Sequence, residues 1–191
     1  MNGQEAVLYI FISGAALLMM GLGLGLAAIM PSIDRWSKRF FIAFFSVLFL
    51  NSCFALADML FYEVPVMALA HVINLMMSLL TAFPLPAMTV FLLHCCGENW
   101  RKSFLFHAAL ALYGFYFVLV VIAQFTSSIY SVTPDGRLRF DPLYPLLIAP
   151  LVTIGLLNLA NLTRRRNELT RKHFFALLIS LVPLTAPHIG E

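Results

Sequence analysis

The positions of the basic residues constrain this chain more than any other feature of its sequence. Ten of its twelve Lys and Arg residues lie in three short gaps between long apolar runs, at 31–39, 97–103 and 163–172. These are alternate gaps, and the only basic residues in the other two gaps are Arg137 and Arg139. An excess of basic residues in alternate loops is typical of a protein that crosses the membrane several times. The pattern predicts a multi-pass protein of the cell membrane, with its N-terminus outside and the three basic gaps in the cytoplasm.

Composition and segment length indicate the fold class. The chain is 61% hydrophobic and only 11% charged, whereas about a quarter of the residues of a soluble domain are charged. A spanning helix needs about 20 apolar residues, and six segments qualify. We predict an all-α transmembrane bundle of six helices, forming a single membrane-embedded domain over residues 1–191. The helices are expected at about 6–30, 40–61, 67–94, 104–125, 143–162 and 173–191.

Prolines and glycines mark two positions inside these helices. Pro84-Leu85-Pro86 removes two backbone donors from the third segment, which predicts a kink there. This kink either serves packing or acts as a hinge that transmits motion. In the first segment, Gly21 and Gly25 form a small-xxx-small face, suited to packing within the bundle or to a dimer contact.

Polar residues inside the apolar segments share helix faces at 100° per residue. The second segment carries Asn51 and Asp58, and a short connection makes the third segment its antiparallel neighbour. Because a carboxylate in lipid is costly unless it is paired, we expect Asp58 to face the bundle interior and to meet His71 or Asn74. The third segment carries His71, Asn74, Ser78 and Thr81; the fourth carries Tyr113, Tyr116 and Gln124; the fifth carries Thr153, Asn158 and Asn161.

Two interpretations of these polar faces remain open. They are either interhelical hydrogen bonds that stabilise the bundle, or the lining of an outward-facing cavity that binds a small ligand or a proton. The candidate ligand-binding residues are Asp58, His71, Asn74, Asn51, Tyr113, Tyr116 and Gln124.

No motif for catalysis, a metal or a cofactor is found. His94, Cys95 and Cys96 are adjacent in sequence, whereas metal ligands need a spacing that lets their side chains converge. The three cysteines do not form a disulfide framework. The basic residues are explained by topology, so no nucleic-acid partner is expected, and the lipid bilayer is the expected surrounding.

The longest gap between segments is predicted to lie outside the cell. Pro134, Asp135 and Gly136 favour a chain reversal, because Pro fixes φ and Gly accepts positive φ. The alternating flanks predict a short external β-hairpin at 129–141. We expect it to cover the outer mouth of the bundle as a lid, with Tyr130, Asp135, Gly136 and Phe140 as its key residues, or else to be an ordered surface loop.

The residues of this gap also carry a resemblance. The stretches Tyr130-Ser131-Val132-Thr133-Pro134-Asp135-Gly136-Arg137 and Arg139-Phe140-Asp141-Pro142-Leu143-Tyr144 resemble the external loop of the N-terminal membrane sensor region of bacterial histidine kinases and diguanylate cyclases. The Arg-rich stretch after the fifth segment and the Pro-containing sixth segment are also similar to that family. Its members often carry Gly where Asp141 stands.

The resemblance implies a sensory input module of a bacterial signal-transduction receptor. Such a region has about seven helices, so this chain would stop after the sixth, and a cytoplasmic output domain would follow. The resemblance further implies a homodimer, and no enzymatic activity for the chain itself. The alternative is a small-solute permease or the membrane subunit of a transporter, since transporters contain interrupted helices; the first and second halves of the chain show no convincing repeat.

Overall fold

The helices account for nearly all of the described part of the chain. The computed structural model describes residues 3–29, 34–60, 67–126, 130–132, 138–140 and 144–167, and the side chains of 10–29, 34–57, 72–126 and 144–167. The helices are α1 (Gly3–Ile29), α2 (Arg35–Leu60), α3 (Met67–Ala82), α4 (Pro84–Cys95), α5 (Phe104–Phe125) and α6 (Tyr144–Arg164). A 3₁₀ turn, Trp100–Lys102, precedes α5.

Five of these helical stretches are long and apolar enough to cross a membrane, the third being α3 and α4 taken together. The chain therefore fits a membrane-spanning protein by length and hydropathy. Large apolar side chains on α1, such as Phe11, Leu18 and Ile29, are mostly exposed. The sixth predicted helix, 173–191, lies outside the described residues, so the structure supports five spans rather than six.

The second helix begins at Arg35, before the predicted start at Phe40, and that boundary was wrong. Asp34 caps the helix, because its Oδ2 accepts hydrogen bonds from the N–H groups of Trp36 (3.1 Å) and Ser37 (2.9 Å). An acidic N-cap satisfies otherwise unpaired donors. It also offsets the unfavourable position of Arg35 at the positive end of the helix dipole.

The predicted third helix, in which a kink was expected at the proline pair, is divided there into two helices. Helix α3 ends at Ala82 and α4 begins at Pro84, with Phe83 as its N-cap residue. Because Pro84 and Pro86 have no N–H, they cannot donate to the carbonyls four residues earlier, and the hydrogen-bond ladder stops there. The structure therefore has two helices where one was predicted over 67–94.

Two short strands lie between α5 and α6. Strand β1 (Tyr130–Val132) pairs antiparallel with β2 (Leu138–Phe140), with Tyr130 opposite Phe140 and Val132 opposite Leu138. Both lie inside the segment where the hairpin was predicted. Residues 133–137, which contain the predicted turn, lie outside the described residues, so the turn and its location outside the cell stay predictions.

The chain divides into two compact units, Met1–Thr81 and Ala82–Glu191. In the first unit, α1 packs along α2, and the ring of Phe45 lies so close to Gly23 that a Cβ there would be 2.7 Å from it. Of the predicted small-residue pair, Gly21 lies near Phe49, whose ring would be 3.7 Å from an added Cβ, whereas Gly25 has open space. Helix packing inside this unit therefore uses Gly21 and Gly23.

The second unit has a three-helix core in which α4, α5 and α6 pack against one another. Met88 and Leu92 of α4 form a buried cluster with Leu162 of α6. Val120 of α5 and Ile154 of α6 are also almost fully buried. This core fixes the positions of the polar side chains that α4 and α6 carry.

Candidate functional site

A polar contact joins α2 and α3 in the first unit. The Thr81 hydroxyl donates to Asn51 Oδ1 at 3.3 Å, which brings together one candidate residue and one residue of the predicted polar face of α3. The Ser78 hydroxyl donates to the backbone carbonyl of Asn74 at 2.8 Å. Asn51 is thus linked to α3 by a side-chain hydrogen bond, a contact that the sequence analysis did not specify.

Two further candidate residues are related to this contact by their spacing along the helices. Asp58 lies seven residues after Asn51 in α2, and Asn74 lies seven residues before Thr81 in α3. Seven residues are close to two helical turns, so each of these two residues lies on the same face of its own helix as the residue that takes part in the hydrogen bond. The side chains of Asp58 and His71 lie outside the described residues, so their predicted pairing stays a prediction.

The candidate residues of α5 lie in the second unit. Tyr116 is buried, and its ring centroid lies 6.4 Å from that of the half-buried Tyr113. Gln124 is half-buried near the end of the same helix. The two tyrosines therefore form an aromatic pair on one face of α5.

Among the described residues of the second unit, the most deeply buried polar side chains connect α6 to the start of α4. Asn158 and Thr89 are 1% and 0% exposed, respectively. The Thr89 hydroxyl donates to Asn158 Oδ1 at 2.8 Å, and Asn158 Nδ2 donates to the backbone carbonyl of Leu85 at 3.0 Å. We call these three groups the Asn158 node.

Chemistry fixes the orientation of the Asn158 amide in this node. A backbone carbonyl can only accept, so the amide must turn its nitrogen to Leu85 and its oxygen to Thr89. Leu85 stands between Pro84 and Pro86, at the point where the helix ladder is interrupted. The node therefore ties α6 to the interruption itself, in a buried environment where unpaired polar groups are costly.

A second connection joins the end of α6 to the residues after α4. Gly97 adopts φ +71°, its N–H donates to the His94 carbonyl at 2.9 Å, and the Glu98 N–H donates to the Leu93 carbonyl at 3.0 Å. This pair of bonds is the Schellman arrangement, in which glycine accepts the left-handed conformation that ends a helix. The reversal places Glu98 beside α6.

Arg165 forms an ion pair with Glu98 at that position. Its Nη2 donates to Glu98 Oε1 at 2.6 Å, and its Nε donates to Asn161 Oδ1 at 3.1 Å. The hydrogen bond with Glu98 raises the pKa of the Arg165 guanidinium above its usual value, and a contact with the Cys96 side chain contributes in the same direction. Arg165 stays charged and holds the two helix ends together. We call this the Arg165 clamp.

Sequence reasoning missed both the partner of Asn158 and the clamp. Asn158 was recognised as a polar residue within an apolar segment, but Thr89 was not, although it is also a hydroxyl residue in such a segment. The Leu85 carbonyl carries no side-chain signal, and only its position between two prolines distinguishes it. Glu98, an acid within a basic gap, was the signal that could have revealed the clamp.

The predicted lid residues are only partly described. Tyr130 and Phe140 face each other in the strand register, but their side chains, and the whole of Asp135 and Gly136, lie outside the described residues. In the described part of the chain, no three His, Cys, Asp or Glu side chains converge as a metal site. Comparison of the chain with protein-family models, curated proteins and solved structures gives no match.

Proposed function

We propose that this chain is the membrane-embedded sensory input module of a bacterial signal-transduction receptor. It would sense an external or membrane-borne signal and pass a helix displacement to a cytoplasmic output domain. The observation that supports this most is the Asn158 node, because it joins an interrupted helix to α6, the helix that leads towards the C-terminal basic gap.

A signal needs two helix arrangements whose relative stability a ligand can change. The interruption at Phe83 supplies a position where α4 lacks a continuous hydrogen-bond ladder with α3, and in this proposal α4 moves about that position. The Asn158 node and the Arg165 clamp connect α6 to the two ends of α4. Movement of α4 would therefore be carried along α6 as a unit.

In this proposal the polar seam between α2 and α3 receives the signal. A hydrogen bond between Thr81 and Asn51 crosses it, and Asn74, Asp58 and His71 would extend it towards the outer side. Tyr113, Tyr116 and Gln124 on α5 are further candidate ligand-binding residues of the second unit. The strand pair β1–β2 would act as the outer lid, closed by a turn at Asp135 and Gly136, and the module would work as a homodimer.

The coding sequence that follows codon 191 tests the proposal first. A kinase or cyclase catalytic region in frame would support a receptor. A stop codon beside the gene of a transport ATPase would overturn it in favour of a permease subunit, since transporters also contain interrupted helices.

A second experiment tests the coupling between α4 and α6 in the full-length receptor that carries the output domain. The variant Asn158→Leu removes the node, and we expect it to abolish the response of the output domain while the protein still inserts into the membrane. Thr153→Val is the matched control, because the Thr153 hydroxyl bonds to the Ala149 carbonyl of its own helix. An undiminished response in Asn158→Leu would contradict the coupling.

A further inference from the structure

One end of the second unit carries a concentration of positive charge that no described carboxylate neutralises. Arg101 and Lys102 are exposed in the 3₁₀ turn before α5, and Arg164 and Arg166 are exposed at the end of α6. The bond between Arg165 and Glu98 holds these two segments at the same end, since only Asn99 separates Glu98 from the 3₁₀ turn.

The charge at this end is not balanced within the unit. Glu98 is its one acidic side chain among those described, and Arg165 already binds it at 2.6 Å. No described carboxylate lies within ion-pair distance of Arg101, Lys102, Arg164 or Arg166. Four cationic side chains are therefore available to an external anion.

Aromatic and apolar groups lie directly beside these charges. The guanidinium carbon of Arg101 lies 5.0 Å from the centre of the Trp100 ring. The Trp100 ring packs edge-on against the Phe106 ring, with 5.0 Å between the two ring centroids. Phe104, the first residue of α5, is 87% exposed. Tryptophan beside basic residues at the end of an apolar helix is the arrangement found at the interface between lipid headgroups and hydrocarbon.

We propose that this surface, made of Trp100, Arg101, Lys102, Arg164 and Arg166, binds the phosphate headgroup of anionic phospholipids in preference to zwitterionic ones. A phosphate would be held by the cationic side chains, while the acyl chains would lie along Trp100 and Phe104. Juxtamembrane basic clusters attract anionic lipids with a free energy that grows with each charge near the surface. This site is independent of the sensory function proposed above.

The natural tryptophans provide a local probe. The chain contains two, Trp36 and Trp100, so Trp36→Phe leaves Trp100 as the single reporter beside the site. The full chain would be reconstituted into vesicles of phosphatidylcholine and phosphatidylglycerol in which one or the other lipid carries brominated acyl chains. Quenching of Trp100 by each brominated lipid then gives the relative affinity of the two lipids at this position.

We expect brominated phosphatidylglycerol to be preferred about fivefold or more at low salt, with the preference declining as salt is added. The variants R101Q/K102Q and R164Q/R166Q should each bring the ratio close to unity. The variant R101K/K102R keeps the charge and should keep the preference. Circular dichroism checks that each variant retains its helices.

The matched control is R35Q/R39Q, which removes the same number of charges from exposed positions of the first unit. It should leave the preference at Trp100 unchanged. The proposal is overturned by equal quenching from both lipids, by a preference that survives both second-unit variants, or by an equal loss in R35Q/R39Q, since this last result would indicate a general effect of surface charge.

Discussion

At the scale of single residues, the two units use opposite means to bring helices together. In the second unit, a buried amide and a hydroxyl form hydrogen bonds between α4 and α6, and each polar atom gains a partner that lipid could not supply. In the first unit, Gly23 has no side chain, and the Phe45 ring occupies the space this leaves. Polar pairing and close approach are the two devices that stabilise helix contacts without a hydrophobic driving force.

Removing the node should destabilise the second unit. We expect Asn158→Leu to lower the free energy of unfolding by about 1 to 3 kcal/mol, because it leaves the Thr89 hydroxyl without its nearer acceptor and the Leu85 carbonyl without the amide donor. Thr89→Val should cost less, about 0.6 kcal/mol, and should add little to Asn158→Leu. Unfolding in mixed micelles with increasing sodium dodecyl sulfate measures these values. Full additivity of the two variants would contradict a shared node.

Gly23 should not tolerate a side chain. A Cβ at this position would lie 2.7 Å from Phe45 Cε1, and the Phe45 ring is itself in contact with Phe41 and Phe44. We expect Gly23→Ala to cost about 1 to 3 kcal/mol through overpacking, measured by the same unfolding assay. Gly14→Ala is the control, since no atom lies within 4 Å of its Cβ position; a similar loss in both variants would argue against a specific contact with Phe45.

At the scale of elements, the predictable features are those with a strong local cause. Runs of apolar residues indicated the existence of the spans, and the missing N–H groups of Pro84 and Pro86 indicated the interruption. The start of α2 was misplaced because the basic residues were assigned to a gap, whereas the Asp34 cap lets the helix include them. The partner of Asn158 could not be predicted, because a contact across 69 residues depends on packing and not on local pattern.

The Arg165 clamp should protect the end of α6 from protease. Its two side chains remain 22% and 40% exposed, so its contribution to global stability is small, at about 1 kcal/mol or less. Local opening of the end of α6 depends more strongly on this ion pair than global unfolding does. We therefore expect Glu98→Gln to speed trypsin cleavage after Arg164 and Arg166 by about two- to fivefold. Mass spectrometry of timed digests gives the rate.

Two further variants make this test specific. Lys102→Gln removes a charge near Glu98 that has no described carboxylate partner, and it should leave cleavage at α6 unchanged. Gly97→Ala should speed cleavage in the same way as Glu98→Gln, because a side chain at φ +71° disfavours the turn that presents Glu98. Equal cleavage rates in the original chain and in Glu98→Gln would show that the clamp does not restrain α6.

At the scale of the whole molecule, the distribution of charge predicts one topology. The basic residues cluster in alternate gaps, and the Arg165 clamp holds two of these gaps, the one after α4 and the one after α6, at one end of the second unit. Two spans, α5 and α6, separate these gaps, and a chain that crosses a membrane twice returns to the side from which it started. From the positive-inside rule we expect that end to lie in the cytoplasm and the strands β1 and β2 to lie outside.

Single-cysteine labelling tests this topology in intact cells. In a background with Cys53, Cys95 and Cys96 replaced by Ala, we expect Ser128→Cys, beside β1, to react with a membrane-impermeant maleimide. Asn167→Cys, an exposed position after α6, should react only after the cells are opened, because the membrane separates it from the reagent. A permeant maleimide serves as the control that both thiols are accessible. Labelling of Asn167→Cys in sealed cells would invert the topology, and it would place the Arg165 clamp and the proposed anionic-lipid site on the outer surface.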